Sequence, residues 1–322
     1  MISEGIPSHA LPAVARAPGK CILFGEHAVV RGRPEVLLAI DVYTQVAIRP
    51  SPEWRINGHA EPAADHRYLQ TAIRELWATG TPLDVTTVSR IPRASGMGSS
   101  AAFVAALAAA MRAVQGGGDR ASLAQQAFQI ERAAQGVGSP GDTSAAVAGG
   151  YLTLNTEVGA VGEPLWAVSA GAEEWTIRRI SDPGWVWVVA FSGLPRATGP
   201  KVRAVGERFD SAEGPELLRR FSDVAISGVR AMAREDANET GLLLDENQEL
   251  LRAVGVSHPR LDALLEAARP AALGAKVTGA GGGGSIVALP KPGLETDLVR
   301  RLARAGAVPF ATGPAIHGVE LV

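Results

Sequence analysis

The chain has 322 residues, 46% of them apolar, which is enough to bury a large core and favours about two domains. Its 31 basic and 33 acidic residues leave a net charge of −2, and no run of like charge marks a nucleic-acid surface. The single cysteine, Cys21, excludes an internal disulfide, and no apolar run reaches the roughly 18 residues of a membrane span. Residues 1–10 lack the basic and apolar parts of a signal peptide. We therefore expect a cytoplasmic, globular protein that binds small molecules and binds neither nucleic acid nor membranes.

The first 90 residues predict a strand-rich start. Apolar runs at 14–17 and 21–24 flank Pro-Gly-Lys at 18–20, which indicates strand, turn, strand. Residues 35–49 are rich in β-branched and aliphatic side chains and predict one long strand or a bent pair. An amphipathic helix is predicted next, over 66–78, followed by a strand over 83–89.

Residues 91–102, Ile-Pro-Arg-Ala-Ser-Gly-Met-Gly-Ser-Ser-Ala-Ala, predict a loop that leads into a helix over 100–114. The first turn of a helix leaves backbone N–H groups unpaired, and flanking glycines let an anion approach them, so the loop indicates phosphate binding. Ser99 and Ser100 have two interpretations, as helix caps or as hydroxyls near a phosphate-bound magnesium ion. The alternative for the whole loop is an ordinary serine-capped helix. It is not a Walker A loop, because no lysine stands at the helix start.

A second helix is predicted to open at Asp119 or Ser122 and to run to about residue 135, with Glu131 near its end. The loop 136–141 then leads to Asp142, at or beside the cap of another helix. Strands are predicted over 166–168 and 175–177.

A polar Asp-Pro-Gly turn within 181–184 predicts a boundary, which divides the chain into domains 1–183 and 184–322. Strands and helices in the second part mix without strict alternation, so the sequence predicts an α+β fold. The predicted elements of this part are strands 185–191, 273–277 and 285–289, helices 202–208, 215–234, 236–254, 258–267 and 294–305, a glycine-rich turn 279–284 and a closing strand pattern over 311–322.

Three stretches resemble the three motifs of the GHMP small-molecule kinases, in the same order along the chain. They are Pro-Gly-Lys-Cys-Ile-Leu-Phe-Gly-Glu-His-Ala-Val-Val at 18–30, Gly-Met-Gly-Ser-Ser-Ala-Ala at 96–102 and Lys-Val-Thr-Gly-Ala-Gly-Gly-Gly-Gly at 276–284. The first motif is most similar to the version found in mevalonate kinases, and the Gly-Glu-His-Thr-Asp version of galactokinases is absent.

The resemblance implies an N-terminal domain like the second domain of ribosomal protein S5, a ferredoxin-like C-terminal domain, and ATP bound between them with Mg²⁺. It implies ATP-dependent phosphorylation of the primary hydroxyl of mevalonate. Alternatives are a related kinase for phosphomevalonate, homoserine or a sugar, and a nucleotide-binding sensor without catalysis. A homodimer is left open.

The resemblance also implies roles for individual residues. Asp142 matches the catalytic aspartate and Lys20 the lysine beside it, while Glu131 and Ser100 match the metal ligands. The substrate contacts implied are Lys20, Glu26, His27, Asp142, Arg196 and Thr198, and a hydrogen-bonded structural role is the alternative for His27. The nucleotide-binding residues implied are Pro92, Ala94, Ser95, Gly96, Met97, Gly98, Ser99, Ser100, Ala101, Gly279, Ala280 and Gly281. The chain departs from the family pattern at Ala94, often glycine, and at Phe103, often an aromatic hydroxyl.

Overall fold

The computed structural model describes residues 11–60, 66–136, 138–156, 161–195 and 198–322, with the side chains of 198–202 excepted. Mostly antiparallel strands and many helices confirm the predicted α+β class. The elements of the first part are strands β1 (Ala13–Phe24), β2 (Glu35–Pro50), β3 (Arg55–Ile56), β4 (His59–Ala60), β5 (Leu83–Ser89), β6 (Tyr151–Leu154), β7 (Glu163–Ala170) and β8 (Glu173–Ile180), and helices α1 (Arg67–Leu76), α2 (Ser99–Val114), α3 (Arg120–Gln135) and α4 (Gly141–Ala148).

Strand β2 is the centre of the first sheet. It pairs with β1 along most of its 16 residues, and its opposite edge is shared between β5 at residues 44–50 and β6 at residues 35–38. The long strand predicted for 35–49 is therefore confirmed. The path through the sheet runs β4-β3-β5-β2-β6-β8-β7, with β1 on the other side of β2.

The predicted turn at 18–20 is wrong, because β1 is one continuous strand. Its pairing with β2 jumps from Pro18 opposite Tyr43 to Gly19 opposite Ile40, which is a bulge. A bulge tolerates a proline and bends a strand without ending it. The absence of a side chain at Gly19 also lets the loop before α2 approach, since a Cβ atom there would lie 2.7 Å from the carbonyl oxygen of Met97.

Helix α2 lies against β1 and β2, and most of its buried residues are alanine. Small side chains allow the helix backbone to lie close to the sheet, so its first turn is held beside β1. Helix α3 packs on α2, and its start at Asp119 is confirmed by the carboxylate, which accepts a 2.8 Å hydrogen bond from the backbone of Ser122.

The second sheet is antiparallel, with the order β10-β11-β9-β12. Its strands are β9 (Trp187–Phe191), β10 (Ala272–Thr278), β11 (Ser285–Pro290) and β12 (Val308–Thr312), and the helices of this part are α5 (Thr198–Phe209), α6 (Gly214–Ala233), α7 (Ala237–Ala253), α8 (Pro259–Ala268) and α9 (Glu295–Arg304). The single closing strand predicted over 311–322 is wrong. The chain leaves the sheet at Gly313-Pro314, where proline cannot donate to a ladder, and β13 (Glu320–Leu321) returns to pair with β1.

One hydrophobic core joins the two sheets. Phe24, at the end of β1, is fully buried against Gly228 of α6. Among the described residues, no helix combines the length and the apolar character needed to cross a bilayer.

We expect Gly228→Ala to destabilise the fold, because the new Cβ atom would lie 2.5 Å from Cε2 of Phe24. Overpacking of this kind costs about 1–3 kcal/mol. The matched control is Gly206→Ala in α5, where the nearest atom would be Nη2 of Arg31 at 3.7 Å. There the higher helix propensity of alanine should stabilise the fold by up to about 1 kcal/mol. Urea unfolding of both variants is the measurement, and equal shifts of the same sign would contradict the packing described.

Candidate active site

A cleft of about 840 Å³ lies between the two parts of the chain and is lined by all three sequence motifs. A volume of this order suits a small-molecule site. The residues predicted for the site that line it are Lys20, Glu26, His27, Ala94, Ser95, Gly96, Gly98, Ser99, Ser100, Glu131, Asp142, Gly279 and Ala280.

The loop between β5 and α2 is held in its shape by glycine. Gly96 and Gly98 have φ values of 88° and 72°, in the left-handed region that favours glycine. A Cβ atom at Gly98 would also lie 3.0 Å from Cγ of Lys20, so the loop packs directly on that side chain. Ala94 takes φ 54° without being glycine, which places mild backbone strain at the position where the family pattern differs. The predicted loop and helix are confirmed.

Lys20 and Asp142 form an ion pair, with 3.0 Å between Nζ and Oδ1. The lysine side chain is only 2% exposed, whereas that of Asp142 is 28% exposed and faces the cleft. The ammonium group also donates a 3.2 Å hydrogen bond to the carbonyl oxygen of Gly96. A buried cation is therefore held between the loop and a carboxylate that a ligand can reach.

Ser100 and Glu131 meet as predicted. The serine Oγ donates a 2.8 Å hydrogen bond to Oε1 of Glu131, which also accepts one of 2.9 Å from Gln135. Burial, and then the negative charge of Asp142, raise the pKa of Glu131 to about 7. Within the described ranges, no three His, Cys, Asp or Glu side chains cluster as a metal site. The pair does fit Mg²⁺, which takes one or two protein oxygens when phosphates supply others.

Glu26 lines the cleft but its carboxylate is bound from the second sheet. It forms a buried ion pair with Lys276, whose ammonium group also donates to the carbonyl oxygens of Ile22 at 3.3 Å and Val277 at 2.8 Å. The amide of Asn247 contacts the other carboxylate oxygen at 3.4 Å. The sequence did not indicate this pair, which joins the first and third motifs across the two parts of the chain.

The remaining predicted residues vary in position. His27 is buried beside the cleft with φ 64°. Met97 is fully buried in the core and offers the site its backbone only, since its carbonyl oxygen accepts a 3.0 Å bond from Lys20 N. Pro92, Ala101 and Gly281 are likewise not among the described residues that line the cleft. Arg196 lies outside the described residues, and Thr198 begins α5, its side chain also outside them.

Cys21 is a core residue. Its thiol is fully buried in β1, and burial raises its pKa to about 12.

Sequence reasoning missed Glu35, the first residue of β2, which lines the cleft with 1% of its surface exposed. Burial, and then the charge of Asp142, raise the pKa of its carboxyl well above the ordinary value. A lone carboxylate at the start of the apolar run 35–40 was the available signal. Sequence reasoning also missed further residues that line the cleft, from the region of β3, α1 and β5. They are Ile56, Asn57, Tyr68, Thr87, Ser89 and Arg93.

Comparison with known proteins agrees with this arrangement. Two family models match the sequence. The GHMP kinases N terminal domain matches residues 67–150, and the GHMP kinases C terminal model matches residues 229–308. The chain belongs to the GHMP kinase family. This family uses ATP, and its two-domain fold is the one described above.

Two curated archaeal relatives are named mevalonate kinase. That of Methanothermobacter thermautotrophicus is 33% identical over 90% of this chain and 94% of its own. That of Archaeoglobus fulgidus is 33% identical over 86% of this chain and 92% of its own. The solved structure of L. major mevalonate kinase in complex with R-mevalonate has a TM-score of 0.75 at 23% identity, covering 98% and 99% of the two chains, which shows a shared fold.

We expect Glu26→Gln or Lys276→Met alone to destabilise the protein strongly, because each leaves its buried partner without a counter-charge. The loss expected for breaking such a pair is about 3–5 kcal/mol, and the double variant should lose less than the sum. The control is Asp210→Asn, which breaks the exposed 2.8 Å pair with Arg31 and should cost less than about 1 kcal/mol. Denaturant unfolding compares them, and a Glu26→Gln cost as small as that of the control would refute the account.

Proposed function

We propose that this chain transfers the γ-phosphoryl group of ATP to the primary hydroxyl of mevalonate, giving 5-phosphomevalonate and ADP. The observation that carries the proposal is the ion pair between the buried Lys20 and the partly exposed Asp142 beside the glycine loop, with the Ser100–Glu131 pair on α2 and α3. Two observations support mevalonate as the alcohol. They are the first motif and the relatives at 33% identity that are named mevalonate kinase.

Phosphoryl transfer depends mainly on alignment and on stabilisation of charge. Asp142 is the exposed partner of its pair, so it is the group that orients the attacking hydroxyl and accepts its proton. The ammonium of Lys20 lies 3.0 Å from Asp142. It stabilises the oxygen of the attacking hydroxyl as negative charge develops on that oxygen. The N–H groups at the start of α2 receive the phosphates of the nucleotide.

Mg²⁺ belongs at the Ser100–Glu131 pair, whose two oxygens lie 2.8 Å apart. When bound there, the ion would neutralise charge on the phosphate oxygens. Because the pKa of Glu131 is about 7 without a metal, binding must hold this carboxyl in its ionised form.

Different parts of the cleft receive the two substrates. We assign the nucleoside to the part near β3, α1 and β5, where Tyr68 offers a ring and Asn57 and Ser89 offer polar groups. We assign the alcohol to the part near Glu26 and His27, with Arg196 and Thr198 as the further contacts inferred from the family pattern. The domain division at 183 and 184, a homodimeric assembly and a cytoplasmic location are parts of the same proposal.

The test is ADP release by the purified chain with Mg·ATP and, separately, mevalonate, phosphomevalonate, homoserine or galactose. We expect turnover with mevalonate and little with the other three. Turnover on another alcohol would retain the catalytic residues and replace the substrate. ATP binding without turnover on any of them would favour a nucleotide sensor.

Asp142→Asn and Glu131→Gln should fail in different ways. Loss of the Asp142 carboxylate should lower kcat by at least about 100-fold with ATP binding retained, since general-base groups contribute about 10²–10⁴-fold. Glu131→Gln should instead raise the Mg²⁺ concentration needed for half-maximal rate. Rates measured across a magnesium titration separate the two. Full activity of Asp142→Asn, or an unchanged titration for Glu131→Gln, would remove that residue from its assigned role.

A further inference from the structure

Glu35 fills space that Gly141 leaves open. Gly141 is the first residue of α4 and has an ordinary helical backbone, so its conformation does not require glycine. A Cβ atom at this position would overlap Oε2 of Glu35 and would lie 3.3 Å from Cδ1 of Leu37. The carboxyl group therefore packs where a side chain at 141 would otherwise stand, directly before Asp142.

Within the described ranges, Glu35 has no cation of its own. Lys20 is paired with Asp142 and Lys276 with Glu26, and no ion pair to Glu35 is found among the described residues. Oε2 of Glu35 is buried and has no hydrogen-bond partner among the residues that the structure describes. An ionised carboxylate in this position would be an unpaired buried charge, which is far more costly than the neutral acid.

The groups that act on Glu35 come from several elements. The charges of Asp142 on α4 and Glu26 after β1 disfavour its ionisation, whereas Lys20 of β1 and a hydrogen bond with Ser139 favour it. Burial is the largest influence, so the pKa of Glu35 is raised well above its ordinary value. Ionisation would place a second anion beside the only cation that Asp142 has in the described structure.

We propose that Glu35 is a positioning residue. Packed on Gly141 as an uncharged carboxylic acid, it fixes the first turn of α4 so that Asp142 meets Lys20, and it leaves Lys20 to Asp142 alone. Glu35 touches neither substrate in this account. The inference rests on the proposed kinase activity.

The first test compares Glu35→Gln with Glu35→Ala, using the alcohol that the wild-type chain phosphorylates fastest. The amide keeps the shape of a neutral acid, whereas alanine empties the space beside Gly141. We expect Glu35→Ala to lower kcat about 10- to 100-fold, and by about tenfold more than Glu35→Gln, because small displacements of reacting groups are costly. The KM for ATP should change less than about twofold, since the phosphate loop is untouched. Equal losses in both variants, or none in Glu35→Ala, would overturn the proposal.

The second test is the pH profile of kcat, which a purely structural residue would not move. Because burial raises the pKa of Glu35 well above its ordinary value, its carboxyl stays neutral to a higher pH than an ordinary glutamate does, and it ionises as the pH rises further. Wild-type kcat should therefore fall on the alkaline side, and this fall should be absent in Glu35→Gln. The control is Asp245→Asn on α7, another carboxyl whose pKa is raised by burial but which lies outside the cleft. It should keep the alkaline fall. A wild-type profile without the fall, or the same fall in Glu35→Gln, would contradict the proposal.

Gly141→Ala provides a rescue experiment. Alone, the added methyl group should displace Glu35 and lower kcat. Combined with Glu35→Ala, it should occupy part of the vacated space and recover about tenfold in kcat relative to Glu35→Ala. A double variant no better than either single variant would refute the packing argument.

An infrared measurement separates this inference from the proposed function. The difference spectrum between wild type and Glu35→Gln near neutral pH should contain the carbonyl band of a protonated carboxylic acid. This result does not depend on which alcohol is phosphorylated. A carboxylate band in its place would overturn the inference even if mevalonate is the substrate, and the acid band would stand even if it is not.

Discussion

Two buried lysines, each held by one carboxylate, constrain the rest of the structure. Lys20 on β1 requires Asp142, and Lys276 on β10 requires Glu26, because a buried ammonium group without a partner is too costly to keep. The first pair fixes α4 against β1, and the second fixes β10 against the end of β1. Residues of both ion pairs line or adjoin the active cleft. The same two pairs therefore set the geometry of the site and the docking of the two sheets.

Close backbone approach brings the glycine loop to the first of these pairs. Gly19 admits the carbonyl of Met97, and Gly98 packs on the stem of Lys20, so the loop that precedes α2 reaches the buried cation. Ser285 of β11 then donates a 2.9 Å hydrogen bond to the carbonyl of Ser95 on the same loop. The residue that follows the third motif therefore contacts the residue that precedes the second. The glycine-rich sequences are needed for this close packing as well as for room near phosphates.

The sequence predicted local features well and distant pairings poorly. The strand at Leu83–Ser89, the cap at Asp119 and the helix after the glycine loop follow from propensity and spacing within a few residues, and the structure confirms them. The family motifs also brought Lys20, Asp142, Ser100 and Glu131 together correctly. The Glu26–Lys276 pair spans 250 residues, and Glu35 acquires its environment only when β2 meets α4, so no local pattern could indicate either. The bulge in β1 was mistaken for a turn because proline and glycine occur in both.

The return of β13 to β1 has a consequence for the order of events during protein synthesis. Ala15 pairs with Leu321, and Arg16 with Glu320, which lies 304 residues further along the chain, so this edge of β1 stays open until β13 has left the ribosome. Lys276 also emerges long after Glu26. A nascent chain therefore carries an unpaired strand edge until β13 is made and an incomplete cleft until Lys276 is made, and exposed strand edges favour aggregation.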